Sequence, residues 1–247
     1  MQGILYVGHG SRIDEAILEA TACINKVKKL VDVSYQEICF LELAEPTIST
    51  GINNLIKQGA ERIVIVPVLL LSAGHYYKDI PEEVNKVKSK YPNITFTYGK
   101  PLGVQKRLTT IMIERILEMN ILIKKDAKIL LVGRGSRNPQ TKKDIENIGK
   151  ELQNVLNISV DACYLAVCSP SFKEALAASL KGEHSQIIIV PYLWFTGVLM
   201  NYLEERISEI HEEKPRVVLC RQLGDHPHII TALKERVYEA LNNGDQL

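Results

Sequence analysis

The stretch "GILYVGHGSR" at residues 3–12 returns at residues 128–137 as "KILLVGRGSR", with Arg134 where His9 stood. Each copy is an apolar run broken by Gly, the pattern of a strand entering a turn. After the first copy, Ile13, Ile17, Ala20, Ile24, Val27 and Val31 fall three or four apart, as on one face of a helix. The order recurs along the half: strand around 35–42, helix over 47–58, strand "RIVIVPVLLL", helix after "DIPEEV", strand "ITFTYG", helix over 105–118. The third strand is apolar almost without interruption, so both of its faces must be covered. That predicts an α/β fold, a parallel sheet wrapped by helices.

The second half repeats this order in register. The opening quotations share seven of ten residues at an offset of 125, and "RIVIVPVLL" (62–70) shares five of nine with "QIIIVPYLW" (186–194) at an offset of 124. Pro46 and Pro170 keep that second offset. A period this long marks a duplicated domain rather than a solenoid repeat. The expectation is two similar Rossmann-like lobes, each with a four-stranded parallel sheet: residues 1–123 and residues 124–247, joined near "KKDAK".

Composition narrows the function classes. The chain of 247 residues is 46% hydrophobic, and its 30 Lys and Arg against 29 Asp and Glu leave a net charge of +1. No global field draws it to nucleic acid or to a membrane surface, so an anionic ligand must be met by local cations. The N-terminus has no signal-peptide pattern and no apolar run approaches about 18 residues, which reads as a cytoplasmic protein. Cys23, Cys39, Cys163, Cys168 and Cys220 are scattered without a CxxC pair and read as reduced, buried thiols.

In open parallel sheets ligands bind beyond the carboxyl ends of the strands. His9 follows the first strand, Glu42 ends the second, and His75 lies just after the third. Two imidazoles and a carboxylate make a candidate metal site with open positions for a divalent first-row ion. The duplication supports the grouping: Arg134, Ala166 and Leu199 stand opposite His9, Glu42 and His75, so all three are lost together. Asp79 and Pro81 read as helix-start residues, and His184, His211, His226 and His228 as loop or surface residues. "GHGSRI" lacks the third Gly of a dinucleotide fingerprint and no GxxxxGK[ST] loop occurs, which argues against nucleotide chemistry.

With these residues in hand the chain resembles the class II chelatases of tetrapyrrole biosynthesis, the ferrochelatases and cobaltochelatases that act on sirohydrochlorin. "GHGSR" (8–12), "ELAEPTI" (42–48), "VPVLLLSAGHYYKDIP" (66–81) and "PLG" (101–103) carry the likeness in the first half, and "VGRGSR", "IIIVPYLW" and "QLGDHP" extend it into the second. The resemblance implies ATP-independent insertion of Fe²⁺ into sirohydrochlorin, with no permanently bound cofactor and the metal a substrate; affinity order at nitrogen and oxygen ligands adds Co²⁺ or Ni²⁺ as metals accepted in vitro. It implies His9, Glu42 and His75 as catalytic and metal-handling residues. The carboxylates of the substrate call for cations and hydroxyls, for which Ser11, Arg12, Lys78, Arg134, Ser136 and Arg137 are the candidates. A cobaltochelatase and a non-catalytic tetrapyrrole or metal carrier are the rival readings.

Overall fold

The computed structural model describes residues 1–210 and 215–247, so His211 lies outside the described residues. The chain forms two compact units, one of Met1–Gly103 with Pro227–Leu247, the other of Val104–His226.

In the first unit the strands are β1 (Gln2–Gly8), β2 (Tyr35–Phe40), β3 (Arg62–Pro67), β4 (Thr95–Tyr98) and β9 (Asp245–Gln246). Their order is β2-β1-β3-β4-β9, parallel except for β9, which runs antiparallel to β4. Central β1 and β3 are buried on both faces, as their unbroken apolar runs require. Helices α1 (Asp14–Lys28), α2 (Ile48–Lys57) and α3 (Ile80–Lys88) connect them. The chain leaves β1 toward β2 and later returns to place β3 on the other side of β1. At such a reversal the loops leaving β1 and β3 part in opposite directions at the strands' carboxyl ends, the place where open α/β sheets bind ligands.

The second unit repeats the topology with β5 (Lys128–Gly133), β6 (Ser159–Tyr164), β7 (Gln186–Pro191) and β8 (Arg216–Leu219) in the order β6-β5-β7-β8, all parallel. Its helices are α4 (Lys106–Leu117), α5 (Pro139–Leu156), α6 (Phe172–Leu180) and α7 (Val198–Ser208). The repeat holds in fine detail. Thr47 and Ser171 cap α2 and α6 from equivalent positions, each accepting from the backbone N–H three residues on.

Two expectations need correction. The first sheet has five strands rather than four, because the C-terminal tail adds β9 beyond β4. And the compact units do not divide at residues 123 and 124. Helix α4, from the first half of the sequence, belongs to the second unit, while α8 (Pro227–Asn243), from the second half, belongs to the first. Each half donates its last helix to the other's sheet. Both helices have an apolar face that must be buried, but two duplicated sheets offer equivalent surfaces, so helical periodicity does not say which one is used.

One arginine on each exchanged helix bonds a loop of the unit that receives it. Arg115 on α4 is 3% exposed and donates from Nε to the Gln222 carbonyl at 3.0 Å and from Nη2 to the Leu223 carbonyl at 2.6 Å. Arg236 on α8 donates to the Leu102 carbonyl at 2.8 Å in the matching loop of the first unit. Gly99 lets α8 come close, since a Cβ there would meet the Ala240 Cβ at 2.8 Å. Arg115→Ala removes both of these bonds from a buried site and should lower the unfolding free energy by about 2–4 kcal/mol, visible as a lower urea midpoint.

Candidate metal centre

His9 and Glu42 meet because the β1–β2 ladder continues past the strands. The Leu41 N–H donates to the Gly8 carbonyl at 2.9 Å and the Glu42 N–H to the His9 carbonyl at 3.1 Å. Gly10 makes this approach possible. Its φ is +92°, and a Cβ would fall on the Glu42 carbonyl oxygen. His75 arrives from the other side of β1, on the segment that follows β3.

His75 opens a five-residue π-helix, His75–Asp79, that leads into α3. Pro81 has no N–H to bond the Tyr77 carbonyl, and the turn ahead of it is wound wider, the Ile80 N–H donating to His75 O. The Tyr98 hydroxyl donates to the Tyr76 carbonyl at 2.9 Å, and the two rings stack at 5.0 Å, anchoring this turn on β4.

The three predicted ligands converge. His9 Nε2 lies 3.1 Å from His75 Nε2 and 3.3 Å from Glu42 Oε1, and one donor atom from each residue lies within 4.8 Å of the other two. A metal at roughly 2.05 Å from both nitrogens would subtend about 100° between them, between octahedral and tetrahedral angles. Glu42 is half exposed, so its carboxylate can move with an incoming ion while the imidazoles stay fixed.

What fixes the imidazoles is the other ring nitrogen. His75 Nδ1 lies 2.8 Å from Asp79 Oδ2 and His9 Nδ1 lies 3.0 Å from the Gly10 carbonyl. Both partners only accept, so each Nδ1 carries a proton and each Nε2 turns a lone pair toward the other ring. Two lone pairs at that distance repel unless a proton or a cation lies between them.

Asp79 is therefore no mere helix-start residue; it orients His75. The spacing of four residues between His75 and Asp79 was the available signal, but only a helix that starts at His75 brings them together. His226 also departs from expectation. It is no solvated loop residue: its Nε2 pairs with Glu114 Oε2 at 2.6 Å and its side chain is 13% exposed. His184 and His228 fit the surface reading, His228 exposed and His184 half-buried against the Asp126 carbonyl.

Arg12, Lys78, Arg134 and Arg137 are all exposed. Ser11 and Ser136 accept from the N–H groups of Ile13 and Asn138 at 3.0 and 3.1 Å, which leaves each hydroxyl proton to donate. In the second unit the same turn survives without the ligands: the Ala166 N–H donates to the Arg134 carbonyl at 2.9 Å, and Gly135, at φ +87°, has the Ala166 carbonyl where a Cβ would lie. None of the five cysteines is in a disulfide, and four are buried. Burial pushes the Cys163 and Cys220 thiols up to about 12 and Cys39 higher still, so they stay protonated and poor metal ligands.

The CbiX family matches this chain twice, over residues 3–119 and 128–240, the two sequence halves. A sirohydrochlorin ferrochelatase of Priestia megaterium is 43% identical over 98% of this chain and 92% of its own length. A sirohydrochlorin cobaltochelatase of the same organism is 34% identical over 98% of this chain and 80% of its own. Among solved structures, SirB from Bacillus subtilis with Fe³⁺ superposes with a TM-score of 0.88 at 40% identity, covering 99% of this chain and 98% of that one. SirB in complex with cobalt, from subspecies spizizenii, gives 0.85 at 40% identity over 98% and 96%.

Gly10→Ala should push the Glu42 loop away and weaken Co²⁺ binding at least about tenfold, the scale of a lost supporting contact at a metal site. Gly135→Ala has the same steric fault in the second unit and should leave Co²⁺ affinity intact in equilibrium dialysis.

Proposed function

The chain belongs to the CbiX family, and we propose that it is a sirohydrochlorin ferrochelatase, inserting Fe²⁺ into metal-free sirohydrochlorin without ATP to give siroheme. The convergence of His9, Glu42 and His75 carries the reading. Insertion exchanges one divalent cation for the two protons on the pyrrole nitrogens. The site must hold the metal loosely enough to surrender it, which neutral imidazole and carboxylate allow and thiolate would hinder.

His9, Glu42 and His75 receive the metal as substrate. As the ion passes to the macrocycle nitrogens, the vacated Nε2 atoms become bases within reach of the pyrrole protons. Asp79 and the Gly10 carbonyl keep both lone pairs aimed at the site throughout. Arg12 and Lys78 in the first unit, and Arg134 and Arg137 in the second, bind substrate carboxylates in this reading, with the Ser11 and Ser136 hydroxyls as further donors. Affinity order at nitrogen and oxygen ligands favours cobalt and nickel over iron, so Co²⁺ is inserted in vitro as well, and supply selects iron in the cell. No helix among the described residues is long and apolar enough to cross a membrane, and the reaction needs no membrane or nucleic acid.

Anaerobic mixing of sirohydrochlorin with Fe²⁺ and the protein should give the siroheme spectrum well above the uncatalysed rate. His9→Ala and His75→Ala should each lower that rate by at least about 100-fold with thermal unfolding little changed; near-normal turnover in both would refute the site. Arg134→Ala should raise the KM for sirohydrochlorin about tenfold and leave kcat within about twofold, because a carboxylate clamp holds ground and transition states alike. A defect in kcat alone would refute the clamp.

A further inference from the structure

Beyond Gly and Asn, the residues at positive φ among the described residues are Leu43 (+63°) and Val167 (+65°). They occupy equivalent positions, one after Glu42 and the other after Ala166. A left-handed position in a loop is ordinarily filled by Gly or Asn, since a Cβ is crowded there, and a branched residue such as Val fits it worst. Burial does not explain the choice: Leu43 is 48% exposed and Val167 68%. Each unit thus keeps a strained backbone under an apolar side chain that stays substantially exposed.

The duplication separates this feature from metal binding. The second unit has lost the counterparts of His9, Glu42 and His75, yet it keeps the left-handed apolar residue. What remains when the ligands are gone serves something other than the metal. In the first unit Leu43 directly follows Glu42, one of the three convergent ligands, on a loop pinned through the Glu42 N–H to the His9 carbonyl.

We propose that Leu43 is a substrate-contact residue, presenting its isobutyl group to the apolar face of the tetrapyrrole ring beside the metal site. This rests on the sirohydrochlorin reading above. The ring needs an apolar contact that the polar site residues do not supply, and a left-handed backbone locked by the Glu42 bond holds the side chain out of the core.

The test titrates metal-free sirohydrochlorin into the full-length protein by fluorescence, and Co²⁺ separately by dialysis. Leu43→Asn suits the backbone and removes the apolar group. It should weaken sirohydrochlorin binding and raise its KM about tenfold, the scale of one exposed leucine side chain lost from an apolar contact, leave Co²⁺ affinity unchanged, and leave the melting temperature unchanged or higher. Leu43→Met, which restores an apolar side chain, should recover most of the affinity. Unaltered sirohydrochlorin affinity in Leu43→Asn, with binding by the parent protein intact, overturns the contact and leaves the proposed function standing. Weakened Co²⁺ binding or a lower melting temperature would assign Leu43 to the metal site or the fold and overturn it too. Failure of the parent protein to bind sirohydrochlorin overturns both.

Discussion

The candidate metal centre depends on one close approach, the passage of the Gly10 backbone against the Glu42 carbonyl. Without a side chain at position 10, the β1–β2 ladder runs on beyond the strands and sets His9 and Glu42 side by side. The strand order does the rest: β1 lies between β2 and β3, so the segment after β3 delivers His75 from the opposite side. Three strands thus contribute one donor each, and none of the donors belongs to the core. The sheet supplies rigidity while the loops remain free to carry chemistry.

Orientation matters as much as proximity. An imidazole offers two nitrogens, and a metal site needs to know which one bears the lone pair. Acceptors at both Nδ1 atoms settle the tautomers and turn both Nε2 atoms inward. The acceptor for His75 comes from Asp79 across one wide turn, and that turn is held on β4 by Tyr76 and Tyr98. The contact that tunes the ligand is thereby part of the contact that builds the fold.

Duplication let the two units diverge without changing the backbone that both depend on. The Gly10 and Gly135 turns are equivalent in φ, in backbone bonds and in what a Cβ would strike, yet His9 has become Arg134 and Glu42 has become Ala166. Loop positions at strand ends can exchange an imidazole for a guanidinium or a carboxylate for a methyl at little structural cost, because side chains there carry little packing. The exchange of α4 and α8 ties the divergent halves together, since neither unit is complete without a helix from the other half of the sequence.

The strand–helix alternation, the duplication and the grouping of His9, Glu42 and His75 were legible in the sequence because each is local or periodic. Apolar runs mark buried strands, a repeat is visible by self-comparison, and residues at strand ends fall at one edge of a parallel sheet wherever the strands finally lie. What the tertiary structure decided depends on choices that periodicity leaves degenerate. Either sheet could have covered α4 or α8, and the hydrogen bonds of Arg115 and Arg236 to loop carbonyls select between them. Asp79 looked like a helix start until the widened turn moved that start to His75 and brought its carboxylate onto Nδ1. His226 looked solvated until α4 placed Glu114 against it. The left-handed backbone at Leu43 and Val167 leaves no mark in composition, because sequence records which residue is present and only the closed loop determines the φ it must adopt.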